Sequence, residues 1–256
     1  MWFEREILPD LVPGVAAVAS ILGPASATPN DPYQTLPDAL GVVASVHRYD
    51  AAVMDLAPDL RVIARTGIGY DKVDLAAASA RGIAVCNAPD GPTISTAEHT
   101  VTLMMMVAKN VKLSEAELRG GGTDFYARHV GIELAGRTLG VVGLGRIARR
   151  VAALVSGLEM KVAAYDPYLE EADFPPNVAR CATLEDLVGM ADVVSIHVPL
   201  TEDNIGLFGS ELLAAMKPGA TLINTARGGL VDLAALESAL DSQHLFGAGL
   251  DVTDPE

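Results

Sequence analysis

Short apolar runs alternate along the chain with stretches of helical period, the pattern of an α/β protein with mostly parallel strands. In the first part, Val15–Ile21, Gly41–Val46, Arg61–Ala64 and Ile83–Cys86 predict strands, and Asp74–Arg81 a helix ended by Gly82. Gly23–Pro37, rich in Pro, Ala, Ser and Thr, reads as loop. Thr93–Lys109 predicts a helix with Ser95 or Thr96 as its cap and Glu98 near the first turn. It is apolar almost all round through Met104-Met105-Met106, so it should be buried between other elements. We take it as the connector between two domains, residues 1–92 and 93–256, its methionines serving packing. After Gly120-Gly121-Gly122 the alternation becomes regular. Strands are expected at Arg137–Val142, Lys161–Tyr165, Asp192–Val198, Ala220–Asn224 and Phe246–Leu250. Helices are expected at Arg146–Ser156, Leu184–Val188, Ser210–Met216 and Leu233–Leu240.

The 256 residues are half apolar and one-fifth charged, enough for a sizeable core. The net charge of -15 disfavours nucleic acid and anionic membranes, which need clustered Lys and Arg. The longest apolar run, Val101–Ala108, is too short to span a bilayer. Met1–Glu6 lacks the basic-then-apolar order of a signal peptide, so a soluble cytoplasmic protein is expected. Cys86 and Cys181 have no Cys or His partner at metal spacing. They are expected to be reduced, buried thiols, with no metal site.

The first chemistry lies in Thr138–Ala148, a strand, a tight turn and a helix start. Gly143 lets the chain turn, Gly145 lets the backbone approach a pyrophosphate, and a small residue, here Ala148, lets helix and strand pack. The helix N-terminus offers unpaired N–H groups and a positive dipole to phosphates. Glycine pairs also occur in ordinary turns, but the next strand ends at Tyr165-Asp166, about 20 residues further on. A carboxylate there takes both ribose hydroxyls of NAD and repels the extra phosphate of NADP. NAD is therefore the expected cofactor.

With that loop placed, the chain resembles the D-isomer-specific 2-hydroxyacid dehydrogenases. The resemblance is carried by Arg65–Asp74, Gly82–Pro89, Ser95–Thr100, the glycine loop, Asn224–Asp232 and Gly249–Glu256. Ser-Thr-Ala-Glu-His-Thr at 95–100 looks most like the phosphoglycerate dehydrogenase branch. It implies a Rossmann-type doubly wound sheet over 93–256, short of its C-terminal end. A smaller flavodoxin-like α/β substrate domain over 1–92, lacking its first strand, would precede it. Arg227 then matches the catalytic arginine, which binds the substrate carboxylate and polarises the reacting carbonyl. Glu256 matches the glutamate that holds a catalytic histidine and raises its pKa. Asp251 matches the carboxylate beside the nicotinamide amide, and the backbone of Val198, Thr225 and Ala226 lines the nicotinamide half. Arg146 and Ile147 cover the pyrophosphate, and Gly67-Ile68-Gly69 receives the substrate carboxylate on backbone N–H groups. Ile68 would also touch the cofactor side.

The resemblance implies a D-2-hydroxy acid and its 2-keto acid as substrates, a cleft that closes to exclude water, and a homodimer with Asn110–Gly131 as a candidate arm. The Pro-His pair expected after Glu256 is not in the sequence, so the chain is expected to be a fragment. Of the five histidines, His197 at a strand end is the tempting substitute, although its position suits ordinary packing. Where phosphoglycerate-handling relatives carry Arg-Ser, Ala44-Ser45 stands here, followed by His47, Arg48 and Tyr49. Either Arg48 takes over a phosphate contact or the substrate lacks a phosphate; His47 and Tyr49 are equally consistent with a partly exposed loop. A non-catalytic NAD-binding corepressor on the same scaffold is the rival. Formate-oxidising relatives are disfavoured, because they carry Gln where Glu256 stands.

Overall fold

A computed structural model describes residues 1–6, 12–23, 31–122 and 130–255. The chain divides into two compact units, Met1–Pro92 and Thr93–Glu256.

In the first unit β1 (Trp2–Phe3), β2 (Gly41–Ala44), β3 (Val62–Arg65) and β4 (Ala84–Cys86) form a parallel sheet in that order. Leu22 adds a single parallel bridge to Trp2. Counted as a vestigial second strand, it makes the order 2-1-3-4-5, the flavodoxin-like one. Three short helices, α1 (Pro13–Ala16), α2 (Ala51–Asp55) and α3 (Leu75–Ala80), accompany the sheet. Asp50 and Asp74 cap α2 and α3 by accepting from the N–H of Val53 at 3.0 Å and of Ala77 at 2.8 Å. Trp2, Leu36, Val42, Tyr49, Met54 and Ile63 form the heart of the core.

The pattern misplaces the start of this unit. The strand expected at Val15–Ile21 is α1 followed by the lone bridge residue Leu22. Pro13 pre-sets the helical φ at the first helical turn. The strand actually present, Trp2–Phe3, is too short to show any alternation. Cys86, expected to be buried, is exposed because β4 is the sheet's edge. Tyr49, for which an exposed loop position was an open possibility, is fully buried.

In the second unit β5 (Thr138–Val142), β6 (Lys161–Tyr165), β7 (Val178–Arg180), β8 (Val193–Ile196), β9 (Ala220–Asn224) and β10 (Leu245–Leu250) form one parallel sheet. Its order is β10-β9-β8-β5-β6-β7, the 3-2-1-4-5-6 arrangement of a Rossmann fold read from the other edge. Every residue of β8 and β9 is buried. Helices cover both faces of such a sheet, so its strands read as continuous apolar runs.

The connector helix α4 (Thr93–Ala108) is buried along one stripe only, Ala97, Thr100, Met104 and Ala108. Ile94 and Met106 are exposed, so burial all round does not hold for it. Because α4 starts at Thr93, Ser95 and Thr96 lie inside the helix rather than at its cap. A Cβ on Gly247 would stand 2.7 Å from Val107 Cγ1, and one on Gly249 would stand 3.2 Å from Leu103 Cβ. The two glycines thus let α4 lie flush on β10. The pattern misses α5 (Val111–Arg119), which has no buried residue, and the three-residue edge strand β7. The remaining helices, α6 (Arg146–Val155), α7 (Leu184–Met190), α8 (Ser210–Ala215) and α9 (Leu233–Asp241), stand where expected. Cys181 is buried, as expected, and burial pushes its thiol pKa up.

Candidate functional site

The second unit's sheet reverses its winding beside β5, whose neighbours are β6 and β8. A crevice opens outside the carboxyl ends of the strands at such a point. Gly143 leaves β5 there with φ +84, donating its N–H to Tyr165 O at 2.8 Å. A Cβ on it would lie 2.8 Å from Val198 Cγ1 and 3.0 Å from His197 O, so only glycine fits. Gly145 caps α6 without a side-chain hydrogen bond, so no side chain of the cap stands between the helix start and an incoming anion. Space within 4 Å of its would-be Cβ is empty. Ala148 is fully buried against the strand, and Arg146 at the helix start is exposed.

Asp166 follows β6. Its Oδ2 accepts from the Leu144 N–H at 2.9 Å and its Oδ1 from the Tyr168 N–H at 3.0 Å. These bonds fix the carboxylate beside the glycine loop and leave lone pairs on both oxygens for a diol. A glycine turn with room for close approach, a helix start without a side-chain cap and an oriented carboxylate fit the phosphates and ribose of a dinucleotide.

The neighbouring strand exits are built just as specifically. Asn224, fully buried at the end of β9, accepts from the Ala226 N–H at 3.0 Å and donates Nδ2 to Arg227 O at 2.8 Å. It thereby folds the turn that presents Arg227. Thr225 Oγ1 lies 2.8 Å from Thr100 Oγ1 of α4. A Cβ on Gly228 would fall 2.0 Å from Thr253 O, so the Arg227 turn and the segment after β10 pack backbone on backbone. Asp251 opens that segment, and its Oδ1 stands 3.1 Å from His99 Nε2. Glu256 lies outside the described residues. His197 contacts Ser195 Oγ through Nε2 at 2.9 Å, and loss of solvation pushes its pKa down to about 4. Its imidazole is therefore neutral near pH 7, and the imidazolium form suited to a general acid is scarce there.

In the first unit the carbonyls of the Gly67–Gly69 turn are all engaged. Ala88 N–H donates to Gly67 O at 3.0 Å, Asn87 Nδ2 to Ile68 O at 2.8 Å, and Arg65 Nε to Gly69 O at 3.0 Å. The three N–H groups have no acceptor among the described residues. Adjacent free N–H groups of this kind form an anion-binding concavity.

Glu4 is nearly fully buried and reaches the loop after β2 from 41 residues away in the sequence. Its carboxylate accepts from the N–H groups of Ser45 at 2.6 Å, Val46, and His47 at 2.9 Å, and from Tyr49 Oη at 3.2 Å. His47 Nδ1 stands 3.0 Å from it. Burial acts to raise the Glu4 pKa, but the three backbone donors and His47 outweigh it and hold the carboxyl below its usual range.

Sequence reasoning missed Glu4, His99, Asn224 and the Arg65–Asn87 clamp. Asn224 stood inside the Asn-Thr-Ala-Arg-Gly motif and was legible there as a turn-former. Glu4, His99 and Asn87 act through partners distant in the chain, which no local pattern displays.

Comparison with known proteins decides the family. The sequence profile of the D-isomer specific 2-hydroxyacid dehydrogenase, NAD binding domain, matches residues 101–256. The chain belongs to the D-isomer specific 2-hydroxyacid dehydrogenases. It is 40% identical over 215 residues to the D-3-phosphoglycerate dehydrogenase of Archaeoglobus fulgidus, a match covering 84% of this chain and 41% of that protein. Against the (S)-sulfolactate dehydrogenase of Chromohalobacter salexigens it is 42% identical over 216 residues, or 84% and 70% of the two chains. The crystal structure of the Aquifex aeolicus D-lactate dehydrogenase with NAD and lactic acid superposes with a TM-score of 0.86 at 29% identity, covering 99% and 77%. The chain thus spans about two-fifths of the length of the curated phosphoglycerate dehydrogenase it matches. As in this dehydrogenase family, the cofactor is NAD, and the glycine turn and Asp166 lie inside the NAD-binding domain.

Proposed function

We propose that the protein is an NAD-dependent oxidoreductase that interconverts a D-2-hydroxy acid and its 2-keto acid. The observation that carries this is the placement of Arg227. Asn224 holds the Arg227 turn at the carboxyl end of β9, on the same sheet edge as the glycine turn and Asp166.

In this account Asp166 takes the adenosine ribose hydroxyls. The N–H groups at the start of α6, with Gly143, Gly145, Arg146 and Ile147, receive the pyrophosphate, while Ala148 keeps the helix close to the strand. Val198, Thr225 and Ala226 line the nicotinamide half, and Asp251 accepts from its carboxamide. Bound NAD supplies the hydride chemistry. Arg227 binds the acid's carboxylate and polarises its carbonyl, a role suited to a planar, permanently charged fork. Residues 1–92 serve as the substrate domain, with Gly67-Ile68-Gly69 as its anion receptor. Glu256 is assigned to hold the proton-donating histidine; His197 does not fill that place. The N–H groups of Ser45, Val46 and His47 are already taken by Glu4. That occupancy favours an acid whose far end is not received there. A second copy of the chain, docked through α5 with its exposed Val111, Leu113 and Leu118, is the assigned partner, and the cytoplasm the assigned compartment. No helix among the described residues is long and apolar enough to cross a membrane.

The test is NADH oxidation at 340 nm with a panel of phosphorylated and unphosphorylated 2-keto acids. In a chain that carries the histidine assigned to Glu256 we expect turnover with at least one, and a loss of roughly a thousand-fold in kcat/KM for Arg227→Ala with the NADH Kd nearly unchanged. Inactivity of that chain across the panel contradicts the proposal, as does equal loss of turnover and cofactor affinity in the variant.

A further inference from the structure

In the NAD-binding domain, a side chain with no role in the proposed reaction touches one that is assigned to the cofactor. His99 Nε2 of α4 stands 3.1 Å from Asp251 Oδ1, just past β10. We propose that His99 is a positioning residue that orients the Asp251 carboxylate for the nicotinamide end of the cofactor. The inference rests on the NAD reading above and extends it to a residue on a different element.

Three observations converge on it. Asp251 already has a fixed backbone, its N–H donating to Asn224 O at 3.0 Å, so only its side-chain torsions remain to be set. His99 engages one carboxylate oxygen and leaves the other to accept from a carboxamide N–H. The next residue, Thr100, contacts Thr225 Oγ1 at 2.8 Å. Consecutive residues of α4 therefore reach two of the three strand exits assigned to the nicotinamide. The helix that carries them lies at close range over Gly247 and Gly249, where a Cβ would collide with Val107 and crowd Leu103.

The pair contributes little to folding. The two side chains are 46% and 48% exposed, and solvent-exposed ion pairs have small effects on stability. Its consequence is geometric, and it is confined to ligands that carry a nicotinamide.

That confinement gives the test. NADH and ADP-ribose, which lacks the nicotinamide, are titrated calorimetrically into the full chain and into His99→Ala, His99→Gln and Asp251→Asn. For His99→Ala we expect NADH affinity to fall about five-fold while the ADP-ribose Kd stays constant. His99→Gln, which keeps an N–H donor, restores most of the loss. Asp251→Asn weakens NADH alone, and adding His99→Ala to it brings no further loss. An unchanged NADH Kd in His99→Ala, or equal weakening of both ligands, overturns the inference. Loss of NADH binding in Asp251→Asn but not in His99→Ala overturns it while leaving the NAD reading intact. A wild-type chain that binds neither ligand overturns both.

Discussion

The two units are built from the same parallel-strand vocabulary and fixed by different forces. In the second, β5, β6 and β9 have five residues each and β10 has six, and the central strands are buried on both faces. Its helices pack regular stripes such as Ala148, Val151, Ala152 and Val155 of α6. In the first, β1 has two residues and β4 three. There the chain is tied by polar contacts between distant segments: Glu4 to the Ser45–Tyr49 loop, Trp2 Nε1 to Thr35 Oγ1 at 3.0 Å, and Arg65 to the carbonyl of Ser45. One unit is specified by periodic burial, the other by a few side chains whose partners lie far along the sequence.

The largest expected effect separates the units directly. Glu4→Gln replaces an acceptor-only group by one that points N–H donors at backbone N–H groups. It should destabilise the first unit by about 3 kcal/mol, the scale of a buried charged acceptor losing its partners. Hydrogen exchange checks this: the amides of Ser45, Val46 and His47 should exchange faster, with those of β8 and β9 unchanged. A uniform loss of protection would mean that the units do not differ as described. The sign with pH follows from the lowered Glu4 pKa. The stability it contributes is present above the unfolded value of about 4.3 and is lost as pH falls through the folded one.

The converse change acts on the second unit. Gly143→Ala forces a Cβ into Val198 Cγ1 and the His197 carbonyl at a positive φ. The cost of about 1–3 kcal/mol should appear as roughly ten-fold or greater weakening of NADH binding, with the first unit's amide exchange unaltered. Wild-type NADH affinity in that variant would show that the tight turn is not part of the grip.

These contrasts explain what the sequence made legible. The strands at 161–165 and 220–224 and the helix from 146 follow the pattern residue for residue or nearly so, because burial on both faces of a parallel sheet writes itself as uninterrupted apolar runs. The glycine turn and Asp166 were readable because a phosphate and a ribose demand particular residues at a particular spacing. Trp2–Phe3 was not readable, since two residues carry no period. Nor was Glu4: a glutamate near a chain start gives no sign that it will be buried against a loop 41 residues on. His99 lay within a recognised motif, yet its partner, Asp251, comes into reach only when α4 settles on β10.

The central claim is that the second unit reads a dinucleotide through the turn after β5 and through Asp166. Parallel titrations of NADH and NADPH into the wild-type chain and Asp166→Ala test it most directly. We expect the wild type to prefer NADH by at least about ten-fold, since a carboxylate facing a 2′-phosphate costs on the order of a kcal/mol or more, and the preference to disappear largely in the variant. Equal affinity of the wild type for both ligands, or a preference that survives the loss of Asp166, would contradict it.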